Sequence, residues 1–318
     1  MEKNKLIKIT ENFKGKKIGV IGDLMLDHFM WGDADRISPE APIPVVVVAR
    51  ESFVPGGAGN TAANIAALGG KAFIVGLVGK DLAGKILLSE FKKRGIEIGG
   101  VTVHSKKPTI QKIRVVARSQ QVVRVDKEDV QYVDDNVERK LLEFIVLHIK
   151  EWDGIVVSDY AKGLITKNLA ENIVNLAVKY KKPIIGDVKP KHAPFFKNIT
   201  LLSPNQKESL EISGVSDFEV AGKIIQKQLN CSVLLTRGAK GATLFENNNV
   251  KHFPAVAREV FDVSGAGDTV VAVATLALAA GANLEQATII ANHAAGIVVG
   301  KLGTATVGPE ELKQYLES

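Results

Sequence analysis

Short apolar runs rich in β-branched residues alternate with helical patterns along most of this 318-residue chain. Because each run is apolar almost throughout, it is typical of a strand covered on both faces of a sheet. The predicted strands are residues 17–21, 72–78, 154–158, 183–186, 199–202 and 232–236, and the predicted helices are 59–68, 82–94, 137–150, 168–180 and 219–229. This alternation predicts an α/β fold with a doubly wound, mostly parallel sheet flanked by helices.

Three regions depart from the simple alternation. Residues 266–280 and 284–299 are alanine-rich and predict two buried helices packed on one face of the sheet. Residues 42–49 and 109–126 look like strands but are not followed by a helix, and the second predicts a hairpin around 119–121. We therefore expect one main domain over residues 1–318, with a small β-sheet lid inserted at about 34–50 and 107–127.

The charge balance is mildly basic. The chain has 41 Lys and Arg against 35 Asp and Glu, a net charge of +6, and the excess is scattered. Because the densest basic runs are short and lack interleaved aromatic residues, we expect no nucleic-acid partner. A basic bias also suits a protein that binds anionic small molecules.

Cellular location and cysteine chemistry are constrained as well. The single cysteine, Cys231, lies in an apolar run, which predicts a packed core thiol and not a nucleophile.

The lysine-rich residues 1–17 do not resemble a signal peptide. No apolar stretch approaches the roughly 18 residues that a membrane span needs. We expect a cytoplasmic protein with no membrane partner.

One motif near the C-terminus could bind an anion. The segment Asp262-Val-Ser-Gly-Ala-Gly-Asp268 precedes a predicted helix, so its small residues can leave backbone amides pointing outward at a helix N-terminus. Asp268 would lie beside a bound anion, as phosphoryl transfer requires of a proton acceptor. The same sequence is also typical of a glycine-rich turn without a ligand, in which the aspartate only complements the helix dipole. The residues alone leave both interpretations open.

A second motif lies near the N-terminus. Residues 55–64 open a helix with glycine, alanine and asparagine, so a ligand could approach the backbone at Gly57 and the amide of Asn60 could bind hydroxyl groups. Asp23 follows the first predicted strand, at the sheet edge where open α/β sheets bind ligands. Close packing of a small-residue helix, and helix capping by the aspartate, are the alternatives.

These motifs together resemble the signatures of the ribokinase (phosphofructokinase-B) family. The N-terminal signature is GGAGNTAANIAALGGKAFIVGLVGKD, the C-terminal one is DVSGAGDT, and the family's Asn-x-x-Glu follows a predicted strand as Asn205-Gln-Lys-Glu208. The three occur in the family's order across nearly the whole chain. The C-terminal signature departs in having Val263-Ser264 where many relatives have two hydroxyl residues. The segment 186–189 also departs, reading Gly-Asp-Val-Lys where Asp-Pro-Lys is usual.

The resemblance implies a role for each matching residue. Asp268 would be the general base, and the amides of Gly265, Ala266 and Gly267 would form the anion hole. Glu208 would organise Mg²⁺ through its water shell, and the resemblance allows a monovalent cation in addition. The implied ATP-binding residues are Asn205, Thr236, Gly238, Gly241 and Asn292. The candidates for binding a phosphorylated sugar are Asp23, Gly57, Asn60, Lys112, Asp159 and Lys162, with Arg36 and Arg114 as further candidates.

Four segments resemble one branch of the family, the D-glycero-β-D-manno-heptose-7-phosphate kinases. They are residues 34–45, 109–114, 158–163 and 299–304. The branch implies phosphorylation of O1 of the heptose phosphate. A homodimer formed through the lid is expected for a separate reason, because residues 42–49 expose more apolar surface than a free lid needs. Other acceptors remain open: ribose, fructose, a fructose phosphate or adenosine. A nucleotide-binding regulator without turnover is an alternative of another class. Many relatives have a nucleotidyltransferase domain with a His-x-Gly-His motif, and since this chain has no such motif we expect no such domain.

Overall fold

The computed structural model describes residues 3–118, 120–257 and 259–317. Its strands are β1 (Lys17–Gly22), β2 (Leu24–Ile37), β3 (Pro44–Gly57), β4 (Lys71–Gly79), β5 (Glu97–His104), β6 (Ile110–Ala117), β7 (Gln120–Lys127), β8 (Gly154–Ser158), β9 (Ile184–Asp187), β10 (Leu201–Leu202), β11 (Ser232–Thr236), β12 (Ala242–Glu246) and β13 (Asn249–Phe253). Its helices are α1 (Lys3–Glu11), α2 (Ala58–Ala67), α3 (Leu82–Lys93), α4 (Asp135–His148), α5 (Lys167–Lys179), α6 (Gln206–Ser213), α7 (Phe218–Leu229), α8 (Ala266–Ala279), α9 (Leu284–Val298) and α10 (Pro309–Glu317).

Nine strands form the main sheet, in the order β13-β12-β11-β10-β9-β8-β1-β4-β5. From β11 to β5 all neighbouring strands are parallel, while β12 and β13 add an antiparallel edge. Because helices connect the parallel strands, they cover both faces of the sheet. The predicted fold class is confirmed. The structure adds β5, β12 and β13, for which no strand was predicted.

Two hydrophobic cores lie against the main sheet. One contains the buried residues of α2, α8 and α9, and the other contains those of α4, α5 and α7. Cys231 belongs to the second core, where burial raises the pKa of its thiol to about 12. A thiol with such a pKa is not a nucleophile at neutral pH. Among the residues that the structure describes, no helix has the length and apolar character to cross a membrane.

Four strands form a separate small sheet, in the order β3-β2-β6-β7. Strand β2 pairs antiparallel with β3 and parallel with β6, and β6 pairs antiparallel with β7. The strands β2 and β3 extend well beyond the lid segment expected at 34–50, because they start directly after β1 and end directly before α2. Ser119, in the expected hairpin turn, lies outside the described residues. Exposed apolar side chains of this sheet include Ile37, Val47, Val48, Val122, Val123 and Val125.

Candidate active site

Asp268 lies in the first turn of α8 and is 3% exposed. Three side chains donate hydrogen bonds to its carboxylate: Asn60 to Oδ2 at 2.9 Å, and Tyr160 and Thr61 to Oδ1 at 2.9 and 3.3 Å. Burial raises the pKa of Asp268 to about 6 although these three donors lower it, and nearby Asp27 raises it further. A carboxyl group with this pKa is ionised at neutral pH and can accept a proton.

The glycine-rich motif forms the turn before α8 and the first turn of that helix. Gly265 caps the helix with a left-handed backbone, φ 78°. The amide of Ala266 donates to the carbonyl of Val263 over a long 3.3 Å. An added Cβ at Gly267 would lie 3.8 Å from Oδ2 of Asp187, so little separates this turn from the end of β9. The turn therefore offers a helix N-terminus with small residues, against which a phosphoryl group could lie.

A cleft of about 670 Å³ is lined in part by Val263, Ala266 and Gly267 of this turn. Its apolar wall is built largely from alanine and valine side chains of the segment after β13 and of α8 and α9. The Asn292 amide donates to the Pro254 carbonyl at 2.7 Å and so ties α9 to that segment. The structure brings together in this cleft all five residues implied for ATP, together with two of the anion hole: Asn205, Thr236, Gly238, Gly241, Asn292, Ala266 and Gly267.

A charged cluster lies where β9 and α6 meet. Glu208 is 7% exposed and completes a capping box, in which its Oε2 accepts from the amide of Asn205 at 3.0 Å. Its Oε1 accepts from Lys189 Nζ at 2.5 Å. The neighbouring Asp187 is half-buried near Asp268 and Glu208, and desolvation and these charges raise its pKa to about 8. Asp187 was not predicted as a site residue, although its position at a strand end was a usable signal.

Lys112 faces the site from β6. Its ammonium lies 5.4 Å from the centroid of the Tyr160 ring. Burial lowers the pKa of Lys112, opposed by the charge of Asp27 and reinforced by Arg114 and Arg124. Because the side chains of Lys112, Arg114 and Arg124 bring several positive charges close together, an anion would be stabilised beside Lys112.

Two predicted sugar-binding residues, Asp23 and Asp159, bind backbone amides of neighbouring loops. Both oxygens of Asp23 accept from backbone amides, Oδ2 from Tyr160 at 2.8 Å and from Lys162 at 3.1 Å. Burial and nearby Asp159 raise the pKa of Asp23 to about 6. Asp159 accepts from the amides of Ala161 and Lys189 and contacts His192 Nδ1 at 2.7 Å.

Lys162 pairs with Glu128 at 2.7 Å. Gly57 lies directly before α2 with φ 57°. Asp27 on β2 accepts from Arg114 and is 3% exposed. Of the predicted sugar-binding side chains, Asn60 therefore contacts Asp268 and Lys112 lies beside Tyr160, while Asp23 and Asp159 hold the loops that carry Tyr160 and Lys189.

Known proteins resemble this chain in sequence and in fold. A family model described as pfkB family carbohydrate kinase matches residues 16–311. The bifunctional protein HldE of Helicobacter pylori (strain J99) is 40% identical over 307 residues, 95% of this chain and 66% of that protein. HldE of Geobacter sulfurreducens is 42% identical over 300 residues, 92% of this chain and 61% of that protein. The chain thus spans somewhat less than two thirds of these relatives.

Two solved structures have the same fold. Arabidopsis thaliana ribokinase complexed with ribose and ATP superposes with a TM-score of 0.75 at 19% identity, covering 96% of this chain and 99% of that chain. Phosphofructokinase-2 from Escherichia coli in complex with potassium gives a TM-score of 0.77 at 22% identity, covering 96% of this chain and 100% of that chain.

Proposed function

Since this chain belongs to the pfkB family of carbohydrate kinases, we propose that it transfers the γ-phosphoryl group of ATP to O1 of D-glycero-β-D-manno-heptose 7-phosphate. The observation that carries the catalytic part is Asp268, a buried carboxyl that is held by three donors and directly follows Gly267, a residue lining the 670 Å³ cleft. The four sequence segments that resemble the heptose phosphate branch support the choice of acceptor, as does the similarity to two HldE proteins.

The proposed reaction is a displacement at the γ-phosphorus. The O1–P bond forms while the bond between the γ-phosphorus and the bridging oxygen of ADP breaks, and the O1 proton passes to Asp268. The turn at Gly265, Ala266 and Gly267 would stabilise the charge that spreads over the phosphoryl oxygens. ATP would occupy the cleft lined by Asn205, Thr236, Gly238, Gly241 and Asn292.

Glu208 fits a role in holding Mg²⁺ through water. It is a buried carboxylate that pairs with Lys189 and lies near Asp187, whose raised pKa of about 8 leaves that residue largely protonated at neutral pH. A bound cation would stabilise the ionised forms of both carboxyl groups. The described residues contain no group of three or more His, Cys, Asp or Glu that could hold a metal. Phosphate oxygens and water would therefore complete the shell, as Mg²⁺ prefers. The bound ion would supply charge neutralisation on the phosphates. A monovalent cation stays a prediction.

The first test is ATP consumption with Mg²⁺ across a panel of acceptors. The panel contains the heptose 7-phosphate, sedoheptulose 7-phosphate, ribose, fructose, fructose 6-phosphate and adenosine. We expect turnover with the heptose 7-phosphate alone and a product phosphorylated at O1. Turnover of an unphosphorylated sugar would retain the family and discard the proposed acceptor.

Lys112→Ala tests the recognition of the acceptor's phosphate. Because a charge-assisted hydrogen bond to the phosphate would be lost, the KM for the heptose phosphate should rise about 10- to 100-fold while the KM for ATP is unchanged. Lys127→Ala, at an exposed residue of β7, is the matched control. Equal effects of the two substitutions would contradict the role of Lys112.

A homodimer through the small sheet is a further part of the proposal. The sheet exposes Val47, Val48 and Val123 by 60%, 42% and 46%, and an apolar surface of this kind favours a protein contact. Light scattering that found a monomer at every concentration would rule the dimer out.

A further inference from the structure

Tyr160 follows β8 and is the link between the base and two lysines. We infer that Tyr160 is a positioning residue, whose hydroxyl fixes the orientation of the Asp268 carboxylate and whose ring sets the places of the Lys112 and Lys189 ammonium groups. The inference rests on the proposed role of Asp268 as the general base and goes further, because it assigns the oxygen that takes the proton and a residue that controls it.

The hydrogen bonds on Asp268 select one oxygen. An ionised carboxylate has about four lone-pair sites, two on each oxygen. Tyr160 at 2.9 Å and Thr61 at 3.3 Å occupy Oδ1, whereas Asn60 alone occupies Oδ2. One site is left, on Oδ2, so this oxygen receives the proton of the acceptor hydroxyl.

The loop that carries Tyr160 is itself held rigidly. The Tyr160 amide donates to Asp23 at 2.8 Å, and the next amide, of Ala161, donates to Asp159 at 2.8 Å. Both carboxylates are almost fully buried, at 2% and 1% exposure. A tyrosine whose backbone is fixed in this way can hold its hydroxyl in one direction, as pre-organised catalysis requires.

The Tyr160 ring joins the small sheet to the main domain. Lys112 on β6 and Lys189 after β9 each place their ammonium 5.4 Å from the ring centroid, within reach of a cation–π attraction. Phenylalanine retains this attraction and lacks the hydroxyl, while leucine lacks both. The two substitutions therefore separate the two functions of the side chain.

Charged and titratable groups from neighbouring strands surround Asp268 and Tyr160, and the loss of the Tyr160 hydroxyl sets the direction of the pH effect. Asp27 from β2 raises the pKa of Asp268, and Asp187 from β9 and Asp27 both face the Tyr160 hydroxyl. Lys112 and Lys189 lie over the ring. The hydrogen bond from Tyr160 lowers the pKa of Asp268 because it stabilises the ionised form. Without the hydroxyl, the base becomes protonated at a higher pH.

The experiment compares pH profiles of kcat between about pH 5 and 9 for the wild type, Tyr160→Phe and Tyr180→Phe. We expect the acid limb of Tyr160→Phe to shift upward by about 0.5 to 1 pH unit, with a several-fold lower kcat and an unchanged KM for ATP. Tyr180, the C-cap of α5, is the control for the same chemical change and should leave the profile unaltered. Tyr160→Leu should in addition raise the KM for the sugar phosphate.

Asp268→Asn in the same series distinguishes a failure of the proposed function from a failure of the positioning role of Tyr160. If Asp268→Asn retains activity, the proposed base is wrong and the inference falls with it. If Asp268→Asn is inactive while Tyr160→Phe and wild type have superimposable profiles, the proposed function stands and the positioning role of Tyr160 is wrong.

Discussion

Replacing Asp268 with asparagine is expected to lower kcat by about 10²- to 10⁴-fold. The amide has nearly the shape of the carboxylate but cannot accept the acceptor's proton. In the wild type, the pKa of Asp268 is raised to about 6, so kcat/KM should fall as the pH decreases through about 6, where the base becomes protonated. The measurement is steady-state turnover of ATP with the heptose phosphate as a function of pH.

Asp217→Asn is the control for this substitution. Asp217 is exposed and caps α7 through its bond to the Val220 amide at 2.8 Å, and asparagine caps helices equally well. The control should have wild-type activity. A variant of Asp268 with activity within a few-fold of wild type would exclude a general base at this position.

Gly265→Ala is expected to have the next largest effect on activity. A Cβ at this residue would lie 2.5 Å from Nδ2 of Asn60, the atom that donates to Oδ2 of Asp268. Asn60 must therefore move, and a shift of this size at a reacting group can lower kcat by about 10- to 100-fold. The left-handed backbone at residue 265 also costs an alanine about 1–2 kcal/mol of stability.

Gly281→Ala separates these two effects. Gly281 has φ 91°, and an added Cβ would have no atom within 4 Å. Urea unfolding should show a loss of stability in both variants, larger in Gly265→Ala because of the contact with Asn60, whereas only Gly265→Ala should lose activity. If Gly281→Ala lost as much activity, backbone strain alone would account for the result and the contact with Asn60 would have no catalytic meaning.

The main sheet was predictable because its strands are buried on both faces. Such strands are continuous apolar runs, and the predicted segments 154–158 and 232–236 have the bounds of β8 and β11. Strand β2 was not predicted over its full length, since Asp27, His28 and Asp33 interrupt its apolar pattern. Those polar residues lie in a strand of the small sheet. Part of that strand faces the site, so the hydrophobic pattern of a single sequence cannot identify the strand.

The site was predictable only where its residues are close together in the chain. The segment 262–268 contains both the turn and the proposed base, so the motif could be recognised from local spacing. Tyr160 is 108 positions away from Asp268, and nothing near it in the sequence indicates the contact. Asp23 and Asp159 were recognised as carboxylates at strand ends, but the sequence does not say that their oxygens accept from backbone amides.

The part of the small sheet near Asp27 and the part beyond its bulges are expected to tolerate substitutions differently. Strands β2 and β3 pair without interruption from Leu24 and Gly57 to Trp31 and Arg50, and bulges follow between Trp31 and Gly32 and between Asp33 and Arg36. Because bulges absorb changes in bend and twist, substitutions beyond them should leave Asp27 undisturbed. The outer surface can therefore diverge and acquire or lose a partner over evolutionary time, while the inner part remains constrained by the chemistry.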